Sequence, residues 1–276
     1  MMRNTHSNVA VVLAFATASI LSAQAARADD FIKGGSETFT LNLGGIVNKW
    51  DSSIRLDGVS TRGTQINLES NGMKDNLSSF MASGTWRISE RNRIDALYFG
   101  VKRDASRAST RDITVNDQTI PAGSTVSTEA KTDYLFFDYR YSFYKSDAWE
   151  VAGLLGLYGG KFDFTVAGPG VVLGSRVNIS ESTTVPLPLI GVSADWYIQP
   201  QWKISSVLSG MQAKIGDVDG KATVFTLGTD YMFTRNLGLG AAYLYTEIDV
   251  DVTKSGFNGN VNFKNNAGLL YATLKF

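Results

Sequence analysis

The stretch "TDYLFFDYRYSFY", residues 132–144, reads one way only when its residues are taken in twos. One face carries Leu135, Phe137, Tyr139, Tyr141 and Phe143, and the other carries Tyr134, Phe136, Asp138, Arg140 and Ser142. Side chains that alternate in this way belong to a β-strand, because successive residues point to opposite sides. The first face is a nearly unbroken row of rings, too apolar to stand in water and too long for an ordinary surface strand. "KATVFTLGTDYMF" (221–233) repeats the pattern, with Phe225, Leu227, Thr229, Tyr231 and Phe233 on one side. "WKISSVLSG" and "FMASGTWRI" follow it as well.

Four tight turns punctuate these strands: "SERN" (89–92), "KSDA" (145–148), "QPQ" (199–201) and "TRN" (234–236). Longer stretches rich in Ser, Thr, Asn, Asp and Gly lie between, near 51–75, 104–128, 166–181, 217–220 and 254–260. Nine connections require ten strands, expected at about 37–50, 76–89, 93–103, 129–144, 149–165, 182–198, 202–215, 221–233, 237–252 and 261–276. "SSIRLDG", "GTQINLES" and "DITVND" are shorter and more polar, and read as hairpin extensions. Counting them as spans gives twelve strands, and eight is the other even number near ten. Trp86, Trp149, Trp196 and Trp202 cluster at the short turns, where an amphipathic ring suits a membrane–water boundary. A soluble β-sandwich also alternates, but explains neither the ring rows nor the tryptophans. The fold expected is all-β: an antiparallel, up-and-down transmembrane barrel.

The N-terminus reads as an address. Arg3 precedes an apolar run, Val9–Leu21, of signal-peptide length, and small residues at Ala26 and Ala28 place cleavage before Asp29, or else after Ala25. The domain expectation is therefore a signal peptide over 1–28, a short lead over 29–36 and the barrel over 37–276. Cleavage would remove His6, the only histidine, and the chain has no cysteine. Thiolate metal sites, disulfides and cysteine nucleophiles are excluded outright. Lys+Arg and Asp+Glu are equal at 26 each, which points away from nucleic acid. No cofactor or metal is expected.

Export signal, alternating strands and the terminal "LLYATLKF" (269–276) together resemble bacterial outer-membrane β-barrel proteins. In layout the chain is similar to the small OmpA/OmpW-like barrels, with more strands than their eight. The resemblance implies an outer-membrane location, lipid as surroundings, and a C-terminal aromatic, Phe276, read by the barrel-assembly machinery. Omptin proteases share the strand number, but barrel enzymes of this size use a histidine that the mature chain would lack, so no enzyme is expected. The closing strand should put Gly268, Leu270, Ala272, Leu274 and Phe276 towards lipid and Tyr271, Thr273 and Lys275 towards the lumen.

If the ring rows face lipid, the opposite faces carry Arg87, Arg93, Arg140, Lys203 and Lys275 against Asp95, Asp138, Glu150, Asp195 and Asp230. Buried charges must be paired or hydrated. Two readings stay open: a charge-paired plug, or a selectivity constriction for small solutes. Glu247, Asp249 and Asp251 share one strand face and read as a solvated rim or a weak Ca²⁺ site. "LGLGAA" is a strand with small inward glycines, not a phosphate loop.

"TTVPLPLIG" is unusual for a barrel wall, since Pro186 and Pro188 remove two donors from one seam. Either the strand bulges or starts late, or the seam is a weak place through which a small apolar molecule passes sideways. "GPGVVLG" (168–174) would be its lid or a partner contact. The function expected is narrow passage or binding of small molecules, including hydrophobic ones, by a monomer. The competing reading is a structural or surface-interaction barrel with a closed lumen and partner-binding loops.

Overall fold

A computed structural model describes residues 31–172, 174–254 and 257–276. The expected signal peptide, 1–28, lies outside the described residues. Thirteen strands run in order: β1 (Phe39–Leu56), β2 (Ile66–Asn67), β3 (Asn76–Arg87), β4 (Asn92–Ala108), β5 (Ile113–Val115), β6 (Gln118–Ile120), β7 (Thr125–Lys145), β8 (Trp149–Pro169), β9 (Arg176–Gln199), β10 (Trp202–Ile215), β11 (Val218–Met232), β12 (Leu237–Lys254) and β13 (Phe257–Lys275). Ten of them form the wall in the order β13-β12-β11-β10-β9-β8-β7-β4-β3-β1, and β13 pairs back onto β1. Closure runs from Thr40↔Lys275 to Leu56↔Gly259, all antiparallel. The ring therefore closes on itself, the condition for crossing a bilayer with strands, and every wall strand has a partner on both sides through the lower part of the belt.

Parity decides which way each residue faces. Leu135, Phe137, Tyr139, Tyr141 and Phe143 are exposed on the outside, while Tyr134 and Phe136 are buried inside. On β13, Leu270 points out and Tyr271, Thr273 and Lys275 point in, and Phe276, just past the strand, is exposed. On seven of the ten outward rows the first charge comes at a similar height: Lys49, Lys102, Asp133, Lys161, Lys221, Glu247 and Lys264. Below that level the belt is apolar down to the short turns, where Trp86, Trp149, Trp196 and Trp202 stand 40–46% exposed. Trp149 stacks on Trp196 at 5.5 Å and Phe39 on Trp86 at 6.0 Å.

Wall strands of 12–24 residues exceed the roughly 9–11 that a tilted crossing needs. The excess all lies at the end away from the short turns, and it corrects the expected loop boundaries. Residues 166–181 are mostly paired β8 and β9, leaving only 170–175 as a connection; 217–220 shrinks to 216–217 and 254–260 to 255–256. The composition misleads there because these strands stand in water outside and apolar packing inside: Val177 and Ile179 are buried between exposed Asn178 and Ser180.

Among the described residues, 57–75 and 109–124 are the long connections, and both fold inward as a cap. "SSIRLDG" and "GTQINLES" do extend the sheet as a short hairpin, Ser53 and Ile54 of β1 pairing with Asn67 and Ile66 of β2, whereas "DITVND" belongs to a separate β5–β6 hairpin outside the wall. Ile66, Leu68 and Met73 from the first, and Ile113, Val115 and Ile120 from the β5–β6 hairpin, are buried. Arg103 holds the first connection from below, donating to Glu69 at 2.7 Å and Ser52 at 2.9 Å while lying over the Trp50 ring. The Asp117 carboxylate ties the hairpin to the first connection, accepting from the backbone N–H groups of Val59 and Thr61 at 2.7 and 2.8 Å.

Candidate functional site

All ten charged residues expected in the lumen point into it, and the structure joins most of them across the barrel. Glu150, its side chain fully buried, accepts from Arg87 Nη1 and Nη2 at 2.9 Å each and from the Ser142 hydroxyl. Arg93 donates to Asp195 at 2.7 Å and lies 3.6 Å from both Glu150 and Asp95. Arg140 bridges Asp95 at 3.0 Å and Asp138 at 3.2 Å. Lys203 pairs with Asp230 at 3.0 Å, and the Tyr271 hydroxyl donates to the same carboxylate at 2.9 Å. Lys275 is buried but forms no ion pair among the described residues.

The lead closes this end from below. Gly34 lies so close to the Tyr197 ring that a Cβ would sit 2.1 Å from its Cδ1, and Gly35 holds a positive φ of 76° beneath Glu150. Lys145 donates to the Gly35 carbonyl at 2.8 Å. None of this was legible in residues 29–36, whose only signal was the glycine pair. The inward glycines of "LGLGAA" have a similar use: Gly240 leaves room for Tyr271 and Asp230.

Higher up the lumen is filled by rings. Trp50 stacks on Tyr134 at 5.6 Å, Phe99 on Tyr134 at 4.8 Å, and Phe136 meets Tyr158 edge-on at 4.6 Å. Between rings and charges lies a cavity of about 190 Å³. Its floor is Glu37, Arg93, Asp95, Lys203 and Asp230, and its roof is Met81, Phe136, Leu189, Leu244 and Leu269. Glu37 is the charged lining residue that sequence reasoning missed, because it sits at the edge of the lead and shares no strand pattern.

The two prolines mark a break in the wall. Towards β8 the ladder is continuous, Gly159↔Pro186 and Leu157↔Pro188 included. Towards β10 it stops at Ile190↔Gly210, so β9 above Ile190 has no partner on that side although β10 runs on to Ile215. Both proline rings are exposed at the upper edge of the apolar belt, and Leu187 between them is buried. Val171 and Val172 of "GPGVVLG" stand 69% and 73% exposed, so they do not cover the seam as a lid. Glu247, Asp249 and Asp251 lie on the outer face above the belt, and no metal-holding cluster is present among the described residues.

No family model matches the chain, and no curated protein does either. Among solved structures it is similar to the outer membrane protease OmpT from Escherichia coli, at 9% identity over 91% of this chain and 100% of that one, with a TM-score of 0.49. The translocator domain of the autotransporter NalP from Neisseria meningitidis matches at 12% identity over 97% of each chain, TM-score 0.40. The outer membrane protein OprG from Pseudomonas aeruginosa matches at 14% identity over 86% of this chain and 95% of that one, TM-score 0.32. These are likenesses of architecture and carry nothing about activity. The closed ring, the outward belt and its aromatic and charged borders are themselves those of a bacterial outer-membrane β-barrel.

Proposed function

We propose that this barrel is a non-enzymatic outer-membrane protein that binds small molecules with an apolar body in its mid-lumen cavity and exchanges them sideways with the lipid. The observation that carries the reading is the coincidence of cavity and seam. Leu189 and Ser209 line the cavity, and the β9–β10 ladder ends at their neighbours Ile190 and Gly210. Rings above and paired charges below leave the side as the least obstructed direction. On this reading the charges form a structural floor rather than a selectivity filter, and the protein works as a monomer in lipid. Phe276, exposed at the short-turn end, serves as the assembly signal.

A titration of the barrel in lipid nanodiscs with benzyl alcohol tests the cavity. Saturable binding that Leu269→Trp abolishes supports it, and absence of saturable binding to the wild type contradicts it.

The second reading, a surface-interaction barrel, draws on the cap. Its two connections are clamped together, and Val59, Val171 and Val172 stand exposed at the outer end. Loss of a surface partner on trimming 57–65, with no ligand binding anywhere, would favour that reading.

A further inference from the structure

The floor of the cavity carries a carboxylate that forms no ion pair within reach among the described residues. Glu37 is 6% exposed and lines the cavity, and its Oε2 is shut off from solvent without a hydrogen-bond partner. Every other carboxylate lining the cavity has an ion-pair partner: Asp95 and Asp138 have Arg140, Asp195 has Arg93, and Asp230 has Lys203. Five lining carboxylates (Glu37, Asp95, Asp138, Asp195, Asp230) thus face three lining cations, each already engaged. Lys275, buried and itself without an ion pair, lies close enough for its charge to act on Glu37, but it does not reach it within ion-pair distance and does not line the space. A second acceptor, Asn42 Oδ1, is also buried without a donor and faces the same cavity. What the cavity lacks is therefore a donor that reaches Glu37 Oε2 and Asn42 Oδ1 from inside, and a cationic one meets the carboxylate best, since a buried carboxylate is costly until it is paired.

The roof sets the rest of the ligand. Phe136, Leu244 and Leu269 offer apolar surface, and about 190 Å³ exceeds the roughly 150 Å³ that admits a benzene ring. We infer that the cavity binds a small organic cation, a protonated amine carrying a single ring or short alkyl body. Its N–H groups meet Glu37 and Asn42 Oδ1, and its body lies under Phe136 and Leu269. The inference rests on the cavity proposed above as a binding site, and names the chemistry of what enters it. A bare metal ion fits poorly, since two acceptors beneath an apolar roof cannot replace its shell of oxygen ligands.

Calorimetric titration of the full barrel in nanodiscs with benzylamine, benzyl alcohol and benzoate near neutral pH separates the outcomes. The expected result is benzylamine binding at least tenfold tighter than benzyl alcohol, with benzoate weakest. Glu37→Gln is expected to cost benzylamine that tenfold preference. The wild-type order of the three ligands is a test that needs no variant. Saturable benzyl alcohol binding without preference for the amine would overturn the inference and leave the cavity standing. Retention of the preference in Glu37→Gln would also overturn it, and absence of binding by all three would overturn both.

Discussion

At the scale of single residues, the lower lumen is held by groups that cannot be removed one at a time. Glu150 answers Arg87 directly and Arg93 more distantly, and nothing else described pairs with Arg87 within ion-pair distance. Glu150→Ala leaves a buried guanidinium uncompensated and is expected to cost roughly 3–5 kcal/mol in a reversible denaturant titration. Gly35→Ala forces a side chain into left-handed backbone at about 1–2 kcal/mol. It should free the lead, read as faster proteolysis near residues 31–36 with the barrel intact. Asp117 in the cap is held below the usual carboxylate range by the Thr61 hydroxyl and by the backbone N–H groups of Ser60, Val59 and Thr61. A carboxyl lowered by folding stabilises above its unfolded value and loses that contribution as pH falls through its folded one. Hydrogen exchange of residues 59–61 should therefore quicken as pH drops below about 4, once intrinsic rates are corrected, and Asp117→Asn should remove the pH dependence.

At the scale of elements, the belt and the short turns were legible because they are local. Parity within "TDYLFFDYRYSFY" assigns each side chain a face without knowledge of the partner strand, and the ten lumen charges follow from it. Their partners were not legible, because Arg87 on β3 meets Glu150 on β8, and Arg93 on β4 meets Asp195 on β9. Such contacts cross a lumen whose strand order had to be known first. The upper strands were hidden for another reason. A polar outward row and a sparse apolar inward row give the composition of a loop, as in "RVNISES" (176–182). The missing donors were legible in the sequence, since an absent N–H is fixed by the proline itself, and the β9–β10 ladder ends beside them at Ile190↔Gly210. Pro186→Thr with Pro188→Thr restores two donors, each worth about 1 kcal/mol when bonded. Amides of Gln212 and Lys214, which face β9 opposite positions 188 and 186, should then exchange roughly tenfold more slowly. Unchanged exchange would mean that something other than the missing donors ends the ladder.

At the scale of the whole molecule, a packed cap, a ring-filled upper lumen and a charge-paired floor argue against an axial water path. Planar-bilayer recordings are expected to show no steady conductance. The absence of cysteine makes a lateral path directly testable, since cysteines placed at Leu189 and Met211, the first positions beyond the last paired residues, have no others to confuse them. The decisive quantity is the exchange rate of 4-fluorobenzyl alcohol between cavity and nanodisc lipid, followed by fluorine NMR in that variant, oxidised and then reduced. Exchange slowed at least tenfold in the oxidised form and restored by reductant is the result a side opening requires. Exchange that is equally fast in both forms, with the disulfide shown to be formed, would contradict it.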